Sequence, residues 1–212
     1  PPLAPLIPTK DGVSLLIDCG ANVDARPSHL VQFAMMGSIY MEHVVGIKNP
    51  RVGIVNIGVE ETKGTELQVE AYGLMKEAGY NFIGNVEARE VPLGGCDVAV
   101  CDGFTGNIIL KTTEGLAKLF MSEIKGIFMK SLPNKLAAAV VKKDLGAFKR
   151  KFDSAEYGGA LLLGTKKPVI KAHGSSDAKA FCNAIRQAIS CCENNIIGEM
   201  ESQLAVETAE AE

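Results

Sequence analysis

The chain has 212 residues, 47% of them hydrophobic and 6% aromatic, and a net charge of −3, enough apolar material for one large domain or two interlocked lobes. The balance gives no reason to expect a nucleic-acid partner, and no apolar run is long enough to span a bilayer. The amino terminus lacks the basic-then-apolar pattern of a secretory signal, so a cytoplasmic location is expected.

The chain begins Pro1-Pro2-Leu3, without a methionine, and reaches its first strand almost at once, so a fragment or a processed chain is expected. That strand, Leu15-Leu16-Ile17, runs into Asp18-Cys19-Gly20-Ala21-Asn22-Val23-Asp24. Pro27 suits a first helical turn, and Leu30, Phe33, Ala34, Met41, Val44 and Val45 form a helical stripe before Gly46. A second apolar run, Val52 to Asn56, ends in Ile57-Gly58. A second helix is expected from Thr65 to Gly79, with Leu67, Ala71, Leu74, Met75 and Ala78 on one side. Phe82-Ile83-Gly84-Asn85-Val86-Glu87 and Asp97-Val98-Ala99-Val100-Cys101 repeat the pattern, the latter leading into Asp102-Gly103-Phe104-Thr105-Gly106-Asn107. Near the end, Ser175-Ser176-Asp177 caps a helix carrying Phe181, Ile185, Ala188, Ile189 and Cys192, and the Glu- and Ala-rich tail from Glu199 is expected to fray.

Continuous β-branched runs suit strands buried on both faces, and alternation with helices predicts an α/β protein with a mostly parallel sheet flanked by helices. In such a sheet ligands bind beyond the carboxyl ends of the strands. The four Gly-, Asn- and Asp-rich turns would share that edge. The six cysteines show no C-x-x-C pair and sit mostly in apolar patterns, so buried free thiols are expected, with no metal site and no disulfide framework.

Between Lys130 and Lys151 lie seven basic residues and a single acid, Asp144, interleaved with Leu132, Leu136, Val140, Leu145, Phe148 and Phe152. With Pro133-Asn134 as a turn, residues 116–152 read as an inserted amphipathic helical hairpin. It could pack against a subunit partner, or meet an anionic membrane surface or an acidic partner.

Several chemistries are excluded by absent motifs: there is no G-x-S-x-G, no H-E-x-x-H and no G-x-G-x-x-G. Lys63 and Gly64 stand in the reverse of the order a P-loop requires. Lys63 still precedes a helix beyond a strand end, where a cation can meet a phosphate; the alternative is a solvated surface lysine. The glycines of Asp102 to Asn107 could let main-chain N–H groups face an anion, or could simply make a tight turn. Lys171-Ala172-His173-Gly174-Ser175-Ser176-Asp177 sets a lysine and an imidazole beside a helix start, with His173 either a general base or a packing residue.

Six ordered motifs carry a resemblance: Gly20-Ala21-Asn22-Val23-Asp24, Asn56-Ile57-Gly58 with Lys63-Gly64, Phe82 to Glu87, Cys101 to Asn107, Glu156-Tyr157-Gly158-Gly159-Ala160, and Lys171 to Asp177. From about Leu3 to Ile197 the chain resembles PlsX, the bacterial phosphate acyltransferase family of phospholipid synthesis. The resemblance implies a fold akin to phosphotransacetylase and isocitrate dehydrogenase, a homodimer, and acyl transfer from acyl carrier protein to inorganic phosphate, with no cofactor. It implies that Lys63 positions phosphate and Asn107 donates to the tetrahedral oxygen. Asn22, Asp24, Asn85, Gly103, Gly106, His173 and Ser175 would line the pocket. It further implies a peripheral membrane contact through the hairpin, with Leu132, Leu136 and Val140 entering the interface. Family members carry an amino-terminal Asp-Ala-Met-Gly-Gly-Asp segment with no counterpart here, so residues 1–212 are expected to be a single catalytic region short of that segment. A phosphotransacetylase-like enzyme and a catalytically silent membrane scaffold are the rival expectations.

Overall fold

A computed structural model describes residues 1–174 and 176–210. Five strands form the main sheet: β2 (Leu6–Pro8), β3 (Val13–Ile17), β4 (Val52–Asn56), β5 (Phe82–Glu87) and β6 (Val98–Val100), in the order β2-β3-β6-β4-β5. The β3/β6, β6/β4 and β4/β5 pairs are parallel, and only the edge strand β2 runs antiparallel. The protein is therefore α/β with a mostly parallel sheet. Insertion of β6 between β3 and β4 brings the carboxyl ends of four strands to one edge.

Both faces of this sheet are covered, which is why its strands read as unbroken apolar runs. Leu15, Ile17, Val52, Ile54, Val98 and Val100 point into one core, shared with α1 (Pro27–Tyr40) and α2 (Glu66–Lys76). The alternate residues Leu16, Val55, Val86 and Ala99 join Cys19, Cys96 and Cys101 in a second core on the other face. On α1, a Cβ at Gly37 would lie 2.6 Å from a methyl of Val98, so glycine lets the helix settle directly onto β6. The helix passes into a π-helical turn, Met41–Val45, and stops at Gly46, whose φ of 85° is left-handed.

A smaller antiparallel sheet joins β1 (Leu3–Ala4), β7 (Ala160–Leu162) and β8 (Ile170–Lys171) in the order β1-β7-β8. These short strands carry no periodic signal of their own. Two terminal helices, α7 (Ala178–Glu193) and α8 (Ile196–Glu210), complete the chain. The tail is helical as far as Glu210, and Ile196 and Met200 at the start of this helix belong to the main core.

Other expectations are corrected locally. Helix α2 begins after Thr65, in a capping box with Gln68, and ends at Glu77, short of Gly79. The segment Phe82 to Glu87 is not a strand ending in a turn at Gly84: Gly84 and Asn85 lie inside β5, where a register irregularity against β4 accommodates Gly84 at a φ of 90°. Helix α3 spans Gly103–Met129, starting well before Leu116, because Asp102 caps it by accepting from the Thr105 N–H. The turn after it falls at Lys130-Ser131, where the Ser131 hydroxyl caps α4 (Leu132–Val140). Pro133 sits in the first turn of α4, where its missing N–H costs nothing. A third helix, α5 (Lys142–Lys151), follows, then the short α6 (Ser154–Tyr157).

Helix α7 turns its small residues inward. Ala180, Ala184 and Cys191 are buried, whereas Phe181, Ile185 and Ile189 are exposed. The cause is backbone proximity: at Gly158, with φ of 82°, a Cβ would stand 2.5 Å from the Ala184 nitrogen, so only a narrow helix face fits there.

Candidate functional site

The carboxyl edge of the sheet is organised around Asp18, which follows β3 and is fully buried. Its carboxylate accepts from the N–H groups of Leu3 at 2.9 Å, Gly20 at 3.1 Å, Ala21 at 3.1 Å and Asn22 at 2.6 Å, and from the Asn22 side-chain amide at 2.8 Å. Dense donation of this kind is what a buried carboxylate requires. The turn therefore folds around the chain's own anion. Asp18 was not among the expected site residues. The signal was there, an acid placed directly after an apolar strand and before Gly-Ala-Asn.

This turn meets the start of α3. The Gly103 N–H donates to the Asn22 carbonyl at 2.8 Å, and a Cβ at Gly106 would fall 1.9 Å from the Asp18 carbonyl oxygen. Asn107, exposed on the first turns of α3, passes close to Gly20: a Cβ there would lie 3.7 Å from the Asn107 Cβ. Asn22, Gly103, Gly106 and Asn107 are thus brought together. The glycine N–H groups are themselves engaged within the fold, that of Gly103 with the Asn22 carbonyl and that of Gly106 with the Asp102 carbonyl, as in the tight-turn alternative, and the absent side chains permit close packing. Asp102, whose carboxylate accepts from the Thr105 N–H and hydroxyl, also sets a negative charge at that helix start.

Lys63 stands beyond the next strand over, in the exposed loop between β4 and α2. Among the described residues its ammonium makes no salt bridge. Its aliphatic stem crosses Gly58, where an added Cβ would come within 3.3 Å of Lys63 Cγ. The loop is tied to the sheet by two buried amides: Asn56 Nδ2 donates to the Lys63 carbonyl at 2.9 Å, and Asn85 Nδ2 to the Glu60 carbonyl at 2.8 Å. Asn85 therefore supports the Lys63 loop from within β5, and its buried Oδ1 has no hydrogen-bond partner among the described residues. The Glu61 carboxylate, whose acidity is raised by hydrogen bonds from Lys76 and Tyr72, anchors the same loop to α2.

The remaining expected residues are less concentrated. Asp24 is exposed further along the turn after β3. His173 is exposed beyond β8, on the smaller sheet rather than the main one. Ser175 lies outside the described residues. Asp177 caps α7, accepting from the Ala180 N–H at 2.9 Å.

No thiol is poised for chemistry at this edge. Burial pushes the Cys19 and Cys101 thiols far above their ordinary range, with the negative charge of Asp18 adding to the effect on both. All six cysteines are free, with Cys182 and Cys192 exposed. Leu132, Leu136 and Val140 of α4 are 71%, 63% and 85% exposed, so none of the described residues covers them. No helix among the described residues is long and apolar enough to cross a membrane.

Comparison of the sequence with known proteins points to one family. A family profile described as fatty acid synthesis protein matches residues 1–199. The chain is 56% identical over 197 residues to a phosphate acyltransferase of Alkaliphilus oremlandii, covering 93% of this chain and 59% of the relative. It is 53% identical to that of Clostridium botulinum (strain Loch Maree / Type A3), covering 95% of the chain and 60% of the relative, and 50% identical to that of Clostridium tetani, covering 96% and 61%. The chain spans about 60% of the length of the curated relatives it matches. With the family profile spanning nearly its whole length, this chain belongs to the fatty acid synthesis protein family, the PlsX family, whose curated members are named phosphate acyltransferase.

Proposed function

We propose that the protein transfers a fatty acyl group from acyl carrier protein to inorganic phosphate, giving acyl phosphate for phospholipid synthesis. The observation that carries this reading is the name phosphate acyltransferase, shared by relatives at 50–56% identity. The geometry supports it, since Lys63 and Asn107 stand beyond the neighbouring strands β4 and β6.

A phosphate oxygen attacks the thioester carbon, the carbonyl oxygen takes up the negative charge, and the C–S bond then breaks to release the carrier thiolate. Phosphate is itself the nucleophile, so no serine or cysteine need be activated, in keeping with buried thiols that stay protonated. The Lys63 ammonium offsets the charge of the incoming phosphate. The Asn107 amide donates to the developing oxyanion, the kind of fixed donor that contributes most in acyl transfer.

The wider reading places the protein in the cytoplasm as a homodimer in peripheral contact with an anionic membrane. The exposed Phe181, Ile185 and Ile189 of α7 supply apolar area for a partner subunit. The exposed apolar face of α4, between lysines, supplies the membrane contact.

The test uses the full natural polypeptide with acyl carrier protein loaded with a fatty acyl group. Thiol release that depends on phosphate and yields acyl phosphate is the expected result. Release independent of phosphate, or only from a small acyl thioester, overturns the reading.

A further inference from the structure

We propose that Asn56 is a positioning residue for Lys63, its side-chain amide fixing the place from which the ammonium reaches phosphate. This rests on the reading of Lys63 as the phosphate-holding cation. Asn56 is the last residue of β4 and is buried. Its Oδ1 accepts from the Ile57 N–H at 2.8 Å while its Nδ2 donates to the Lys63 carbonyl at 2.9 Å. One amide thus ties both ends of the loop 57–63 to a rigid strand. The middle is held at Glu60, whose carbonyl accepts from Asn85 Nδ2 at 2.8 Å and from the Lys63 N–H at 3.1 Å.

The residue after Lys63 is shaped to the same amide. Gly64 has a φ of 97°, and a Cβ there would lie 2.8 Å from Asn56 Oδ1 and 2.9 Å from Gln68 Cβ. Glycine is therefore required for both conformation and proximity. The two groups that a side-chain amide offers are both spent on this loop. A surface lysine on an unanchored loop would have to order the backbone as well as its own four-carbon stem when an anion binds. Asn56 removes the backbone part. Its loss should weaken phosphate binding and leave the acyl donor untouched.

The experiment is a double-mutant cycle in the full natural polypeptide: Asn56→Ala, Lys63→Ala and the double variant, each assayed for KM of phosphate, KM of the acyl donor, kcat and melting temperature. Asn56→Ala is expected to raise the phosphate KM about tenfold, the scale of one lost hydrogen bond, without changing the acyl-donor KM. Added to Lys63→Ala, it should raise the phosphate KM no further. A full additional increase in the double variant, or an unchanged phosphate KM in Asn56→Ala, overturns the proposal. Should Asn56→Ala fold poorly, Asn56→Ser replaces it in the cycle, since its hydroxyl can accept from Ile57 but cannot reach Lys63. An unchanged phosphate KM in Lys63→Ala alone refutes the reading of Lys63 itself and overturns the positioning of Asn56 with it, an outcome distinct from the other two.

Discussion

The Gly103 N–H donates to the carbonyl oxygen of Asn22 at 2.8 Å, joining the turn after β3 to the start of α3. Because Asn22 is itself held by the Asp18 carboxylate through both its N–H and its side-chain amide, the two turns form one hydrogen-bonded unit. Asn107 is carried on that unit. The position of the proposed oxyanion donor is therefore set by a buried aspartate with which it shares no hydrogen bond.

Glycine substitutions along α3 should separate the sites that need this contact from those that do not. Gly106→Ala would drive a methyl to within 1.9 Å of the Asp18 carbonyl oxygen, and overpacking of this kind costs at least about 1–3 kcal/mol. Gly115, further along the same helix, has open space around the added Cβ. Gly115→Ala should stabilise by up to about 1 kcal/mol through helix propensity. Thermal melts of the two variants should therefore move in opposite directions, by several degrees for Gly106→Ala. A Gly106→Ala protein as stable as the parent would show that α3 can lift away from β3.

The central strands were legible because a parallel sheet buried on both faces leaves uninterrupted runs such as Val52 to Asn56 and Val98 to Val100. The placement of Lys63 and Asn107 beyond strand ends followed from the same pattern. What the pattern could not reveal was the use of polar groups inside the fold. The glycines near Asn107 look the same in sequence whether their N–H groups face a ligand or a neighbouring turn, and here they face Asn22 and Asp102. Asn85 reads as a turn residue beside Gly84, yet it lies within β5 and props up a loop from the adjacent strand. The face that α7 buries was equally hidden, since close approach at Gly158 selects Ala180 and Ala184 over the larger Phe181 and Ile185. Apolar periodicity names a stripe; the space available decides whether that stripe goes in.

Removal of either proposed catalytic side chain should lower turnover with little effect on folding. Lys63 and Asn107 are both exposed, and surface substitutions away from packed features change stability within about 0.5 kcal/mol. Lys63→Ala and Asn107→Ala should each reduce acyl phosphate formation by on the order of a hundredfold, as expected for a lost anion clamp or oxyanion donor. Near-normal rates in either purified variant remove that residue from the mechanism.

The thiols predict a pH dependence of stability. Burial pushes the Cys96 thiol up to about 12 and the Tyr40 hydroxyl up to about 12, so both stay protonated in the folded protein where the unfolded chain would ionise. As pH rises past the ordinary thiol and phenol values, the unfolded state loses protons that the folded state keeps. Stability is then fully present below about pH 9 and falls as the pH approaches 12. Urea unfolding at pH 8 and pH 10.5 should show the loss, and Cys96→Ala should make it shallower. In the native protein at pH 8, alkylation should spare the buried Cys19, Cys96 and Cys101. Rapid labelling of Cys19 or Cys101 under those conditions would contradict their burial.

The helical protrusion gives the last prediction. Helix α4 exposes Leu132, Leu136 and Val140, and the following α5 carries Lys142, Lys143, Lys149, Arg150 and Lys151, with Phe148 and Phe152 packed at 5.0 Å between ring centres. If this region meets a membrane, the apolar residues enter the interface while each nearby basic residue adds about 1 kcal/mol against anionic headgroups. Both contributions are then needed. Leu132→Glu combined with Leu136→Glu should release the protein from anionic vesicles and leave its oligomeric state intact. Raised salt should weaken binding only in part, because the apolar contribution is not screened. If the protrusion instead joins subunits, the same double substitution should dissociate the oligomer. Vesicle sedimentation alongside light scattering distinguishes the two, and an unmodified protein that ignores anionic vesicles rules out the membrane contact.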